Sequence, residues 1–593
     1  MNTKGLHKLA CQTIAPYKGK YREQNVIVCD TETVRGKPYS IQFYDGIDTR
    51  LEYVNEHTIF DCYVDYIQSH YETNLSVWFF YCQFDLPIIH YPYKDNFTHD
   101  NHTMQYGDFE FQYITGKTWY GNHTYKGRKW FERDAFQYVF RGLEKIAKDL
   151  QLSLQKRQRP DFLGERGWKN STEQKIFEEY AIADVLVLWE LVYWILNIHR
   201  QYDVELSVSL ADLAGKIFRK KYVESPIVPC SLEVTMAALS SYHGGKTQCY
   251  VTGPCIVPNI NEYDLTSAYP YAMSQIGNFF DYQITEYTGS KIPLNKKDAL
   301  YKIDAKILCQ YQPIFTHEFK RQTYLRDTWI TGYELQSCLR ENPCLDYQIS
   351  RAYVMESNPD SENGLANYVW DFFEKKQIAD REKNISERLI AKLFLNALYG
   401  KFISRIQDEV DLGDMWRGGI IFHPLIATLI TGFVRGYCHE IEHACQSLHT
   451  STDAFITQGQ GYEKQFPGLN GLGGLKHEYT GDVLIVRPKV YVIFDRLDAS
   501  CYHKFSVGET NEVYCIYCKA KVIKHATHGF YGSVQMLLNM WRGNQTNYVV
   551  KRMIRLKEAK RSRDPDLLPF VFSNQRRTLN VDWGQLSLYK GGV

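Results

Sequence analysis

The sequence predicts a multidomain α/β (α+β) chain, and three observations carry that reading. Its 593 residues exceed what one hydrophobic core serves, and length alone suggests about three to five domains. Short apolar runs read as buried strands, each ending in an acidic residue. Asn25-Val-Ile-Val-Cys29 delivers Asp30, Val77-Trp-Phe-Phe-Tyr-Cys-Gln-Phe84 delivers Asp85, and the run from Glu262 delivers Asp264. Helical periodicities alternate with these runs, at Ile176–Val187 and from roughly Ala366 to Lys401.

Composition narrows the class. With 44% hydrophobic and 23% charged residues the chain reads as globular rather than disordered. The net charge of +1 announces no polyanion partner, but Lys551–Arg577 holds nine Lys or Arg against three Asp or Glu. Fifteen cysteines, an odd and scattered set without a secretory signal, point to reduced thiols and a cytoplasmic setting. The most apolar run, Val185–Leu196, is too short to span a bilayer and carries Glu190, so no membrane segment is expected.

In the first third of the chain, Asp30 and Glu32 are two apart at a strand end and share one face. Tyr180 and Asp184 are spaced i, i+4 on one helix face. Together with Asp85 these side chains suffice to hold two metal ions and orient a water for phosphodiester hydrolysis.

D-x-E, F-D and Y-x-x-x-D in this order resemble the three exonuclease motifs of proofreading DNA polymerases. The stretch Arg141-Gly-Leu-Glu-Lys-Ile-Ala-Lys-Asp149 adds to the match, and the resemblance gives Lys145 the role of catalytic lysine. The second motif departs from the family pattern, with Tyr81 in the usual Asn position.

Further motifs follow in order. Tyr242-His-Gly244-Gly245 resembles the Y-x-G-G loop that joins exonuclease to polymerase in protein-primed family B DNA polymerases. Asp264-Leu-Thr-Ser-Ala-Tyr-Pro270 is similar to that family's first polymerase motif, with Ala268 for Leu. The resemblance makes Asp264 a metal ligand with the Leu265 carbonyl beside it, and Tyr269 the ring under the incoming sugar. Arg388, Lys392 and Asn396 form a polar stripe that Tyr399 nearly joins. Lys392-Leu-Phe-Leu-Asn-Ala-Leu-Tyr-Gly400 resembles the second polymerase motif, with Ala397 for Ser, which implies nucleotide contacts from Arg388, Lys392, Asn396 and Tyr399, and DNA contact at Gly400. Thr450-Ser-Thr-Asp453 is similar to the third motif, D-T-D-S, with Ser451 for the first Asp and Ala454 for the final Ser; Asp453 occupies the metal-binding position. Lys489 and Tyr491 resemble the K-x-Y pair that holds the primer terminus.

The resemblance implies an RNase H-like exonuclease domain followed by a right-hand polymerase of palm, fingers and thumb. Boundaries are expected at 1–190 (exonuclease), 191–250 (linker with the Y-x-G-G loop), 251–290 (palm) and 291–360 (palm with a protein-primed-type insertion). Fingers then take 361–422, palm again 423–500, and thumb 501–593. It also implies two Mg²⁺ ions per active site, with Mn²⁺ an alternative. The partners it implies are template–primer DNA, deoxynucleotides, a terminal protein as primer and a single-stranded DNA-binding protein. The interval from Gly400 to His423 leaves room for a short hairpin at most. Two other readings stand beside this one: a DNA-binding scaffold whose synthetic site has decayed, motivated by Ser451 and Ala454, and a nuclease sharing only the N-terminal domain. In the tail, Cys515-Ile-Tyr-Cys518 lies near Cys501, His503, His525 and His528; it reads first as a strand, with a structural zinc site the minority alternative.

Overall fold

The computed structural model describes residues 10–90, 92–93, 103–106, 109–113, 121–251, 254–308, 311, 313–314, 324–340, 345–408, 415–498, 500–508, 512–527, 533–543, 547–553 and 572–578. An N-terminal mixed sheet comprises β1 (Asn25–Val34), β2 (Lys37–Tyr44), β3 (Thr49–Tyr53), β4 (Leu75–Phe79), β5 (Thr103–Tyr106), β6 (Phe109–Tyr113), β7 (Gly121–Tyr125) and β8 (Arg128–Asp134), in the order β3-β2-β1-β4-β8-β7-β6-β5. Strands β1, β4 and β8 run parallel to one another, and β2 pairs antiparallel with β1. Helices α1 (Ile59–Ser69), α2 (Cys82–Ile89), α3 (Phe136–Val139), α4 (Leu143–Asp149) and α5 (Ser171–Gln201) complete this domain.

Alternation along β1 sets the site. Ile27 and Cys29 join one core with Ile59, Tyr63 and Phe43, whereas Val26 and Val28 join another with Val185 and Leu188 of α5. Because side chains alternate across a strand, Asp30 and Glu32 fall on the α5 side. That helix starts cleanly, since the Asn170 side chain accepts the Glu173 N–H. The apolar run 185–196 therefore lies in a 31-residue helix, longer than expected and apolar enough to cross a membrane by length and composition. Here its apolar side is spent on the cores against β1, β2 and α4.

Two expectations shift. Asp85 lies inside α2 rather than at a strand end, because β4 stops at Phe79. Residues 10–24, assigned to the exonuclease domain by position, pack away from its sheet. Ile14 bridges to Ile227, and the Tyr17 N–H reaches the Arg219 carbonyl.

The chain continues through α6 (Leu210–Lys221) and α7 (Leu232–Ser241) into a second sheet. Its strands are β9 (Thr247–Cys249), β10 (Cys255–Leu265), then, after α8 (Ala268–Gln275), a four-stranded excursion of β11 (Tyr282–Thr288), β12 (Ala299–Ile307), β13 (Tyr324–Thr331) and β14 (Leu345–Ser357), with α9 (Gly332–Arg340) before β14. This excursion occupies the interval where an insertion is expected, with its own core around Tyr301, Ile303 and Leu335. The single helix expected from about 366 to 401 is two helices, α10 (Gly364–Glu382) and α11 (Ile385–Ala397), packed together. Lys383 takes φ +57° and the Asn384 side chain accepts the Glu387 N–H, so the chain turns and starts a new helix.

A short hairpin of β15 (Arg405–Asp408) and β16 (Met415–Gly418) fills the interval before α12 (Pro424–Cys445), which is buried over most of its length against α7, α8 and α9. Strands β17 (His449–Ser451) and β18 (Ala454–Thr457), the short helix α13 (Tyr462–Gln465), and β19 (Leu475–Arg487) and β20 (Val490–Phe494) then return to the second sheet. After the β21 (Phe505–Val507) and β22 (Val513–Cys515) hairpin, β23 (Val522–Thr527) pairs with β20, so the sheet order is β23-β20-β19-β10-β18-β17-β9. This sheet, which carries the stretches expected to form the palm, thus takes its edge strand from the range expected to be thumb. Helix α14 (Val534–Gly543) and the hairpin of β24 (Asn547–Met553) and β25 (Phe572–Thr578) end the described chain. Most of the basic stretch 551–577 lies outside the described residues, as does His528.

Candidate active sites

The first site is a pocket of about 300 Å³ lined by Asp30, Glu32, Phe84, Lys156, Tyr180 and Asp184 among others. Carboxylate oxygens of Asp30, Glu32 and Asp184 lie within 4.8 Å of one another. Asp85 sits beside them, its Oδ1 held by the Thr31 N–H at 3.1 Å and hydroxyl at 2.7 Å. Its Oδ2 is buried without a hydrogen-bond partner, as is Oδ1 of Asp184. Buried carboxylate oxygens with nothing to accept are the donor set a divalent ion satisfies.

The electrostatics agree. Burial pushes Glu32 up to about 7, with the Tyr180 hydroxyl working against it, and pushes Asp85 up to about 8. Asp30 is pushed well above the ordinary carboxylate range, first by burial and then by Asp85, Glu32 and Asp184. The folded chain without metal therefore holds protons that the unfolded chain, titrating near pH 4, has released. The stability these groups contribute is complete below about pH 4 and is lost as pH rises through about 7 to 8. Calorimetry of the metal-free protein should show Tm falling between about pH 6 and pH 8.5, with Mg²⁺ flattening the slope. A Tm that rises over this window would contradict the assignment.

The lysine of this pocket is not the one expected. Lys145 is exposed on α4 and does not line the pocket. Lys156 does: its Nζ lies 2.6 Å from Oδ2 of Asp184. Burial works against its charge, yet Asp184, Asp30 and Glu32 carry the amine above the ordinary lysine value. The family-like spacing put Lys145 on a helix whose buried face is Leu143, Ile146 and Ala147, so its side chain points away. For the 3′-end degradation that the resemblance implies, Lys156→Ala should cut the rate about 10²-fold or more while Lys145→Ala changes it less than about 3-fold; equal losses would sink the distinction. Tyr81, the departure in the second motif, takes φ +75° at the start of α2 and packs edge-on against Phe136 with centroids 5.2 Å apart.

The second site lies at one end of the palm sheet. Register aligns Asp264 of β10 with Ala454 of β18, and the Leu265 N–H donates to the Asp453 carbonyl at 2.9 Å. Strand pairing therefore sets Asp264 beside Asp453, although 189 residues separate them in sequence. Burial and then the Asp453 charge push Asp264 up to about 7. Asp453 is also raised by burial, against the opposing charges of Lys489 and Lys524. Thr452 takes φ +68° in the β17–β18 turn, which sets Asp453 at the end of the sheet next to Asp264.

Around this pair the predicted residues fall in different roles. Tyr269 stacks on Tyr399, centroids 4.2 Å apart and planes 11° from parallel. Gly245 is required by close approach: a Cβ there would sit 2.4 Å from Thr452 Cγ2 and 2.7 Å from the Tyr269 hydroxyl. Gly244 has open space at its Cβ position, but its carbonyl accepts from Arg435 Nη1 at 3.2 Å. Tyr242, half-buried, borders Tyr399. Lys392, Asn396 and Gly400 are exposed, and the Asn396 amide donates to the Lys392 carbonyl at 2.9 Å. Arg388 is tied across the helix pair to Asp380. Lys489 occupies the β19–β20 turn at φ +63°. Tyr491 is buried, its hydroxyl donating to Oε1 of Glu262 at 2.6 Å. It therefore positions a carboxylate rather than facing a primer.

Several neighbours of the pair lie outside every motif. Glu262, on the same strand two before Asp264, is bracketed by Tyr491 and by Lys524 Nζ at 2.8 Å. Its i−2 spacing was the available signal. Burial holds Lys376 of α10 below the ordinary lysine value, with Asp380 working against it and Arg388, Lys392 and Lys476 adding to it. Arg435, fully buried, joins Glu334 at 2.8 Å and clamps the 243–244 carbonyls; no pattern in the sequence separates it from an ordinary helical arginine.

The family described as DNA polymerase type B, organellar and viral, matches residues 163–412. A probable DNA polymerase of Agaricus bitorquis is 28% identical over 249 residues, covering 38% of this chain and 29% of its own length. The primer-independent DNA polymerase PolB of Escherichia coli is 22% identical over 246 residues, covering 37% and 27% respectively. The chain spans under a third of the length of these curated relatives. Phi29 DNA polymerase in an orthorhombic crystal form superposes with a TM-score of 0.66 at 15% identity, over 94% of this chain and 100% of that one. The same polymerase with primer–template DNA and incoming nucleotides gives 0.65 at 15% identity, over 94% and 100%. That likeness is one of fold, over nearly the whole chain.

Proposed function

From the match of residues 163–412 to the type B DNA polymerases of organelles and viruses, we propose that the chain is a DNA-directed DNA polymerase of that family carrying its own 3′–5′ exonuclease. The observation that carries this reading is the pairing of Asp264 with Asp453 at the palm sheet's end, with Tyr269 and Tyr399 stacked nearby. Asp264, Asp453 and the Leu265 carbonyl would hold two divalent ions, Mg²⁺ or Mn²⁺, as would Asp30, Glu32, Asp85 and Asp184 in the first pocket. Such ions activate the attacking oxygen and stabilise the leaving one.

The chain's own residues supply the rest. The primer 3′-hydroxyl attacks the α-phosphate of a deoxynucleotide and pyrophosphate leaves. Lys392, Lys376 and Arg388 carry the charge to bind the triphosphate. The Tyr269 ring, fixed against Tyr399, would pack under the incoming sugar and exclude a ribose 2′-hydroxyl. In the first pocket, Tyr180 and Lys156 orient a water against the terminal phosphodiester. The β11–β14 excursion would be the surface on which a terminal protein presents its priming hydroxyl.

The test is a primer bearing one 3′ mismatch, given template, Mg²⁺ and four deoxynucleotides. Trimming followed by extension is expected. Trimming without extension would favour the nuclease reading, and neither activity the scaffold reading that Ser451 motivates.

A further inference from the structure

Outside both carboxylate sites, four metal-binding side chains converge at the junction of the palm sheet and the C-terminal segment. Cys501, His503, Cys515 and Cys518 place one ligand atom each within 4.8 Å of one another. The Sγ atoms of Cys501 and Cys515 are 3.8 Å apart, and Cys518 Sγ lies 3.4 Å from His503 Nδ1. A tetrahedral zinc ion with Zn–S of about 2.3 Å and Zn–N of about 2.0–2.1 Å requires S–S near 3.8 Å and S–N near 3.5 Å. A disulfide requires about 2.05 Å, and all three cysteines are free. We propose that Cys501, His503, Cys515 and Cys518 bind one structural zinc ion.

The local backbone is built for it. Cys515 ends β22, and the Cys515-Ile-Tyr-Cys518 turn closes with the Lys519 N–H on the Cys515 carbonyl at 3.0 Å, Lys519 taking φ +60°. The Cys515 N–H returns to the Ala520 carbonyl at 2.8 Å, and the Ile516 N–H to the Lys504 carbonyl at 2.9 Å. Cys515 thus ends the hairpin and Cys518 stands in the turn after it, while Cys501 and His503 come from the irregular segment before β21, so one ion closes the loop between β20 and β23. Arg542 of α14 reaches the carbonyls of Cys501 and His503, joining that helix to the knot. His525, near in sequence, pairs instead with Val492 inside the palm sheet.

A second thiol cluster sharpens the contrast. Cys11, Cys230 and His423 also gather within 4.8 Å. There, however, the imidazole is committed: its Nδ1 faces the Ile426 N–H, and its Nε2 lies 3.3 Å from the Val228 carbonyl. It offers three ligands at most, and a ring without a free lone pair.

Elemental analysis of the full chain, purified reduced and without chelator, should find about one zinc per chain, and Co²⁺ exchange should give the ligand-field spectrum of a sulfur-rich tetrahedral site. Cys518→Ser and His503→Ala should each lower zinc content about ten-fold or more, whereas Cys230→Ser should leave it unchanged. Chelation of the wild-type protein, which needs no variant to fold, should lower Tm and open residues 501–521 to proteolysis. Failure of the reduced chain to take up Zn²⁺ or Co²⁺ would overturn the proposal. So would a loss of two mass units, from a disulfide among these cysteines, in protein prepared under reducing conditions, or full zinc content retained by Cys518→Ser.

Discussion

Asp453→Ala is expected to lower templated nucleotide addition by at least about 10³-fold, the scale of several kcal/mol that metal coordination contributes to charge stabilisation in phosphoryl transfer. The expectation rests on strand register rather than on motif quality. Ser451 removes the first carboxylate of the third motif, which leaves Asp453 alone in its turn beside Asp264. The neighbouring carboxylates are already engaged, Glu262 by Tyr491 and Lys524 and Glu478 by Lys476, so neither compensates for the loss. DNA binding, measured by fluorescence anisotropy, should change less than about 3-fold, because phosphate contacts come from basic side chains elsewhere. The substitution also relieves Asp264, which the Asp453 charge helps to hold near 7, so a failure to fold is not the expected cause of inactivity. Unchanged synthesis would remove Asp453 from the chemistry.

The double substitution Asp30→Ala with Glu32→Ala should abolish release of a mismatched 3′ nucleotide, again by at least about 10³-fold, while primer extension continues. Both side chains stand on the α5 face of β1 and carry raised proton affinities from burial. Removing them takes unfavourable buried charge out of the metal-free protein, so its Tm at about pH 8 should hold or rise. That accompanying measurement separates loss of chemistry from loss of fold. Retained trimming of the mismatch would mean that the site lies elsewhere.

What was legible in the sequence was legible for physical reasons. Period-two alternation on β1 assigns Asp30 and Glu32 to one face, and the i, i+4 spacing of Tyr180 and Asp184 assigns them to one face of α5; these are local rules, and the pocket assembles them. The ordered polymerase motifs brought Asp264 to Asp453 only through the resemblance, because no local rule pairs β10 with β18. The misplacements share a cause as well. Lys145 matched by spacing, but its helix face points away, and the loop that brings Lys156 into the pocket has no periodicity to read. The 366–401 stretch is helical throughout by periodicity, and the break at Lys383-Asn384 shows only as a weak cap signal. Tyr491 looked like a primer contact in sequence and is instead the buried partner of Glu262. The C-terminal cysteines were hard to group because Cys501 and His503 stand on one side of a hairpin and Cys515 and Cys518 on the other.

Single-nucleotide addition to a matched, labelled primer in Mg²⁺ tests the Asp264–Asp453 pair most directly. The wild-type chain should add the templated deoxynucleotide, and Asp264→Ala should not, with both proteins still trimming the primer when nucleotides are withheld. Equal addition by the two proteins, or no addition by the wild type in either Mg²⁺ or Mn²⁺, would contradict the account.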